Sequence, residues 1–387
     1  MKKALTISFI IIIIFPSIVY GDVNKVESFL TDTIDLVVDT REIDRFVDEL
    51  IDESELNIDG NFKDIILKII KGEKILEDKS IRQVVSTAIF KEFKISLGIL
   101  AKILIITIIS AILTNLQSTF EESSISQLAN YITYMLIAIL VLTSFTQLME
   151  LVKISVDRMI SFMQILLPIL LTLLVIAGGP NTKIIFHPMI LTTVNVIGVM
   201  IKNIIFPLIY FTFIVGILSN ISERRELSKL SDLGRKIITF MISMAFTIFI
   251  GILTIYGLST KIDGITIRTA KFAVDKFVPI VGGFLSDSVD AVIGSTAILK
   301  NGIGIIGLII LILIILIPLI KIISLLLIYV VTGAIIEPIS SKNITKFFDD
   351  ISKTLLLVLI SMVSITIMFF ITITVIVDIG NNLLMLR

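Results

Sequence analysis

The sequence contains no cysteine, no tryptophan and a single histidine, His187. Without cysteine the chain has no disulfide, no thiolate nucleophile and no cysteine-ligated metal site. One histidine cannot form the histidine cluster that a catalytic zinc site requires. Charged residues make up only 17% of the 387 residues, against about 25% in an ordinary soluble domain. We therefore expect no metal ion, no cofactor and no catalytic residue.

Motifs for nucleotide and nucleic-acid binding are also missing. No Gly-x-x-x-x-Gly-Lys-Ser/Thr loop is present, which excludes nucleotide hydrolysis by that route. Residues 302–307 match Gly-x-Gly-x-x-Gly, but they lie in an apolar run without a βαβ pattern, which predicts a packing face of small residues. No basic patch with interleaved aromatic residues indicates nucleic-acid binding.

Apolar residues are abundant instead. They form 56% of the chain, against about 45–50% in soluble domains, and the mean hydropathy is +1.04. The net charge of zero combines two unlike parts: residues 21–94 contain 18 acidic and 11 basic residues, whereas residues 95–387 contain 15 and 20. This division predicts an acidic aqueous segment followed by a weakly basic membrane domain that interacts with the lipid bilayer.

Residues 1–21 have the pattern of a secretory signal peptide. Lys2 and Lys3 precede an apolar run, and Val19 and Gly21 occupy the positions that favour small residues before a cleavage site. The alternative is an uncleaved anchor, although the run is shorter than the roughly 20 residues of a full span. Both interpretations place the following segment outside the cytoplasm.

Residues 22–94 are predicted to form short amphipathic helices. Apolar residues recur every three or four positions, for example at Ile43, Phe46 and Val47. Gly60 and Gly72 are expected helix ends. The apolar stripes must be covered, and two compatible interpretations remain open: a small self-packed helical cap, or a docking surface for partner proteins.

Residues 95–387 are predicted to form a polytopic membrane domain. Its apolar runs of spanning length occur at residues 95–116, 128–149, 161–177, 184–201, 204–219, 237–258, 302–336 and 354–377. The predicted fold class is therefore all-α, a transmembrane helix bundle of about seven or eight spans. The loops 220–236 and 337–353 are rich in lysine and arginine and are expected to be cytoplasmic.

The connection at residues 259–301 is too apolar for an ordinary loop, and it contains breaks at Pro279 and at Gly282 and Gly283. It is predicted either to pack on the bundle as a structured extracytoplasmic loop, or to act as an amphipathic or re-entrant element that lines a pore or mediates assembly. Lys321 lies inside the run 302–336, where a charge is costly and indicates function by default. The candidate pathway or assembly residues are Lys271, Asp275, Lys276, Pro279, Gly282, Gly283, Asp287 and Lys321.

The run at residues 270–287 resembles the stage III sporulation protein AE family, and residues 178–188 and 221–235 support the resemblance. The resemblance implies a non-enzymatic, multi-pass component of a complex made in the mother cell of endospore-forming bacteria. That complex lies in the membrane around the forespore, joins a forespore membrane partner and forms a channel or specialised secretion apparatus. Its other members include an ATPase and ring-forming proteins.

Two other classes of function compete with this expectation. A stand-alone secondary transporter or permease predicts an internal repeat with interrupted segments at corresponding positions, and no convincing repeat is evident. An intramembrane enzyme would need a catalytic pair at membrane depth, for which the chain offers no cysteine and one histidine.

Overall fold

A computed structural model describes residues 41–54, 62–71, 73, 78–118, 123–177, 180–222, 225–277, 282–339 and 342–385, and every regular element in these residues is helical. The helices are α1 (Arg41–Ser54), α2 (Phe62–Ile70), α3 (Asp78–Ser118), α4 (Ser123–Ile176), α5 (Pro180–Met200), α6 (Phe206–Ser222), α7 (Arg225–Phe277), α8 (Gly282–Ile336) and α9 (Lys342–Met385). A π-helical turn, Ile201–Ile205, joins α5 directly to α6. The predicted all-α class is therefore confirmed for the described part of the chain.

The two short helices α1 and α2 pack on the bundle. Helix α1 buries Ile43 and Val47, as their spacing predicts, and Phe46 stacks on Phe162 of α4 with ring centroids 5.4 Å apart. The Asp44 carboxylate accepts a hydrogen bond of 3.0 Å from the backbone N–H of Phe62, the first residue of α2. A carboxylate at this position stabilises the positive end of the helix dipole.

Helix α2 contacts the bundle through Ile66 and Ile70, which lie over Gly302 of α8. The apolar sides of α1 and α2 are thus covered by each other and by the membrane domain. Residues 22–40 of the predicted helical segment lie outside the described residues, as does the predicted signal peptide.

Five helical segments of the described chain are long and apolar enough to cross a membrane. They are Tyr131–Ile176, Pro188–Asn220, Leu227–Ile255, Val292–Ile336 and Asn343–Asp378. Helices α4 and α8 contain 54 and 55 residues. At 1.5 Å per residue each is about 80 Å long, more than twice the roughly 30 Å of a hydrocarbon core.

Several apolar runs that the sequence separates lie on one helix. The runs 128–149 and 161–177 both belong to α4, and the runs 184–201 and 204–219 lie on one continuous rod made of α5, the π-helical turn and α6. The stretches between these runs contain charged and polar residues, but they include no proline or glycine that would end a helix. The count of about seven or eight spans is not confirmed.

Helix α4 is central: the α5–α6 rod and α8 run antiparallel to it, and α9 runs parallel to it. The α5–α6 rod contacts it at Gly198, where an added Cβ would lie 2.5 Å from Cδ1 of Ile160, and α8 contacts it at Gly307 beneath Leu166. Glycine at these two positions allows the helix backbones to approach closely. Farther along, Phe145 of α4 stacks on Phe213 of α6, with ring centroids 3.8 Å apart.

The predicted breaks coincide with helix ends. Helix α4 ends at Ile176, and α5 begins at Pro180, where the sequence predicts a turn. Helix α7 ends at Phe277 and α8 begins at Gly282, on either side of Pro279. Most of the predicted connection at residues 259–301 is therefore divided between the end of α7 and the beginning of α8.

Candidate functional site: charged and polar groups of the bundle

The candidates in the connection between α7 and α8 are only partly described. Three of them lie in the last turns of α7, and three lie in the first two turns of α8. The side chains of the charged candidates lie outside the described residues, as does Pro279, so their predicted role in a pathway or in assembly is untested. These residues are Lys271, Asp275, Lys276, Gly282, Gly283 and Asp287.

Lys321 lies in the middle of α8, three residues after Pro318, on one unbroken helix. Its side chain is partly buried, and the next residue, Ile322, is fully buried. Lys321 has no hydrogen-bond or ion-pair partner among the described residues. It therefore remains a charge within a candidate span, as predicted, without a contact that defines its role.

Lys300, which the sequence analysis did not select, is the most deeply buried charged side chain of the described bundle. It is 0% exposed, and its Nζ donates a hydrogen bond of 2.7 Å to the carbonyl oxygen of Val377 on α9. The neighbouring Asp378 carboxylate attracts the ammonium group electrostatically. The lysine thus joins α8 to α9 at the end of the bundle where α2 packs.

A second set of charges lies at the opposite end of the bundle, beside the loops predicted to be cytoplasmic. Arg235 of α7 forms an ion pair of 3.1 Å with Asp350 of α9, and both side chains are mostly buried, at 12% and 15% exposure. Asn220 of α6 donates a hydrogen bond of 2.9 Å to the other carboxylate oxygen of Asp350. We call Asn220, Arg235 and Asp350 the charge network.

The charge network fixes three helices against one another. Arg235 also donates a hydrogen bond of 3.3 Å to the Asp350 carbonyl oxygen, and Asn220 donates one of 2.9 Å to the Gly216 carbonyl oxygen. Nearby, the Tyr134 hydroxyl of α4 donates a hydrogen bond of 2.8 Å to the Ile217 carbonyl oxygen. A buried ion pair whose oxygens are hydrogen-bonded specifies one arrangement of its helices.

A third polar feature, the polar seam, follows the outer face of α4. It consists of polar residues spaced alternately by about three and four positions, interrupted only by Ile154, so that they form one line along the helix. Asp157 is partly buried, with 40% of its side chain exposed, and the other members are exposed. The members of the seam are Thr143, Gln147, Glu150, Asp157, Ser161 and Gln164.

The polar seam is completed by side chains of the α5–α6 rod. Lys202 forms an ion pair of 2.6 Å with Asp157, and Asn195 accepts a hydrogen bond from Gln164. Farther along the rod, Tyr210 packs edge-to-face on Phe145 of α4, with ring centroids 5.5 Å apart. The two helices are therefore linked by polar contacts at two successive levels, outside the apolar core.

The polar contacts of the described bundle can serve binding and packing. Among the described residues no group of three or more histidine, cysteine, aspartate or glutamate side chains can hold a metal ion. The two acidic members of the polar seam, Glu150 and Asp157, are balanced by two basic neighbours: Lys153 on α4, and Lys202 on the rod, which pairs with Asp157. Such a surface can hold water and hydrophilic solutes, or fix the position of a neighbouring helix.

Comparison with known proteins gives a clear match. Residues 60–380 match the family model described as Stage III sporulation protein AE. The Stage III sporulation protein AE of Bacillus subtilis (strain 168) is 33% identical over 351 residues, which are 90% of this chain and 88% of the relative. No solved structure matches the chain. The matched region includes Lys300, the charge network and the polar seam.

Proposed function

Because the chain belongs to the stage III sporulation protein AE family, we propose that it is a non-enzymatic, multi-pass membrane component of the channel complex between mother cell and forespore. In this role it supports endospore development from the mother-cell membrane that surrounds the forespore. The observation that supports the proposal most directly is the family match over residues 60–380, a region that contains all five candidate spans.

The partners in this proposal are the other members of the complex. An ATPase and ring-forming proteins are the expected neighbours, and through them the chain connects to a partner in the forespore membrane. The charge network lies at the end of the bundle beside the basic loops, which we predict to be cytoplasmic, where an ATPase would work. The helices α1 and α2 lie at the other end, on the side predicted to face the space between the membranes.

We assign a structural role to the chain within that complex. The buried polar contacts each join two or three long helices. The segment at residues 259–301 is proposed as the assembly interface, with Lys271 and Asp287 as its principal charges.

Affinity purification of the tagged full-length chain from sporulating cells tests the proposal. We expect the ATPase and the ring-forming members to co-purify from membranes solubilised in mild detergent. The matched control is the same tagged chain made in vegetative cells, where these partners are absent. If the chain from sporulating cells is recovered without them, after chemical cross-linking as well, the proposed membership is wrong.

A further inference from the structure

The polar seam of α4 lies in a region where the neighbouring surface is apolar. Beside it on the α5–α6 rod, the side chains of Val196, Val199 and Ile204 are 59%, 55% and 48% exposed. Helix α7 exposes Phe240 to 67%. Exposed apolar side chains on adjacent helices are the pattern of a lipid-facing surface. The seam is therefore a local polar line within an otherwise apolar exterior.

The seam is long enough that some of its members lie within the hydrocarbon core, whichever section of α4 crosses the bilayer. The candidate span Tyr131–Ile176 has 46 residues, of which about 20 cross the hydrocarbon core. A section at one end of the span, residues 131–150, includes Thr143, Gln147 and Glu150. A section at the other end, residues 157–176, includes the other three members of the seam, and every section between these limits includes at least three.

Contact with lipid is energetically unfavourable for these side chains. A charged residue at the centre of a bilayer costs about 2.5–3.5 kcal/mol on insertion scales. The ion pair between Asp157 and Lys202 reduces this cost, but their side chains remain 40% and 35% exposed. Glu150 and Lys153 are exposed as well. Polar and charged side chains at membrane depth normally face a protein interior or a water-filled cavity.

We propose that the polar seam lines a water-filled path at membrane depth, with α4 and the α5–α6 rod forming one wall of it. The inference rests on the proposed function and deepens it, because it names the surface of this chain that faces the conduit. The balance of acidic and basic groups along the seam means that the wall favours neither anions nor cations. Small hydrophilic solutes of either sign are the class of ligand that such a wall admits.

Cysteine accessibility tests the path directly, because the natural chain has no cysteine and a single substitution supplies the only thiol. Two seam positions are compared with two apolar positions at the same depth. Ser161→Cys is matched by Val199→Cys, because the adjacent residues Ile160 and Gly198 are in contact and so lie at the same depth. Gln147→Cys is matched by Phe211→Cys, because the nearby rings of Phe145 and Phe213 stack on each other. All four residues are exposed, so each substitution should leave the core intact.

The probe is a charged, membrane-impermeant methanethiosulfonate, applied to the full-length chain in sealed membrane vesicles. Because only the thiolate reacts, and it forms only where water reaches the sulfur, we expect the seam cysteines to react at least about tenfold faster than their matched controls. Labelling after denaturation shows that each variant has an available thiol. Two independent pairs keep the test valid if one variant fails to fold.

Two results would overturn the path. If both seam cysteines react as slowly as the controls, the seam is covered by lipid or by another protein. If all four react equally fast, this part of α4 lies outside the hydrocarbon core. The labelling contrast is measured on the chain alone, so it can hold even if the complex members do not co-purify; the two failures are therefore distinguishable.

Discussion

The ammonium group of Lys300 on α8 donates a hydrogen bond of 2.7 Å to the carbonyl oxygen of Val377 on α9, and no part of the lysine is exposed. The two helices form an antiparallel pair, which is also in close contact at Gly304 beside Val377. A buried cation is stable only when its donors are satisfied and an anion lies near it, as Asp378 does here. The contact therefore fixes the position of α8 along α9.

Reversing the charge at Lys300 should destabilise the bundle. Lys300→Glu places a carboxylate against a carbonyl oxygen and near Asp378, and an uncompensated buried charge costs about 3–5 kcal/mol. Lys300→Met keeps the volume and loses a hydrogen bond to a charged donor, which costs about 1.5–3 kcal/mol. The apparent melting temperature in detergent should fall in the order wild type, Lys300→Met, Lys300→Glu. Equal melting temperatures for the two variants would contradict the inferred role of the charge.

Removing the carboxylate of Asp350 should also be costly, because Arg235 then loses its buried anion and keeps only the exposed Asp232 as a partner. We expect Asp350→Ala to lower the free energy of unfolding by about 3–5 kcal/mol. Asp232 is the matched control, since it contacts the same guanidinium at 3.0 Å but is 59% exposed. Asp232→Ala should cost less than about 1 kcal/mol. Thermal unfolding of the two purified variants compares them directly, and similar losses would show that burial does not set the energy of this network.

Local features of the fold were predictable from the sequence, because local chemistry decides them. The apolar spacing of Ile43 and Val47 predicts the buried side of α1, and Pro180 and Pro279 mark the breaks between long helices. The continuity of α4 through two predicted spans was not predictable in the same way. Glu150, Lys153 and Asp157 interrupt the hydrophobicity of the run, but they do not interrupt a helix.

The charge network depends on contacts that the sequence does not encode locally. Asp350 is separated from Arg235 by 115 positions and from Asn220 by 130 positions. From the sequence, Arg235 is one of the basic residues that predict a cytoplasmic loop at residues 220–236. Its pairing with Asp350 becomes visible only when α7 and α9 are placed side by side. The polar seam did have a sequence signal, since its alternating spacing of three and four extends through an apolar region.

Charge reversal in the proposed assembly interface should affect the complex and leave the fold unchanged. We expect the double substitution of Lys271→Glu and Asp287→Lys to reduce spore yield and co-purification of the complex members, while the chain remains inserted in the membrane. Lys346→Glu, at an exposed position of α9, is a control of the same chemistry. Normal spore yield from the double variant would exclude these two residues from the interface.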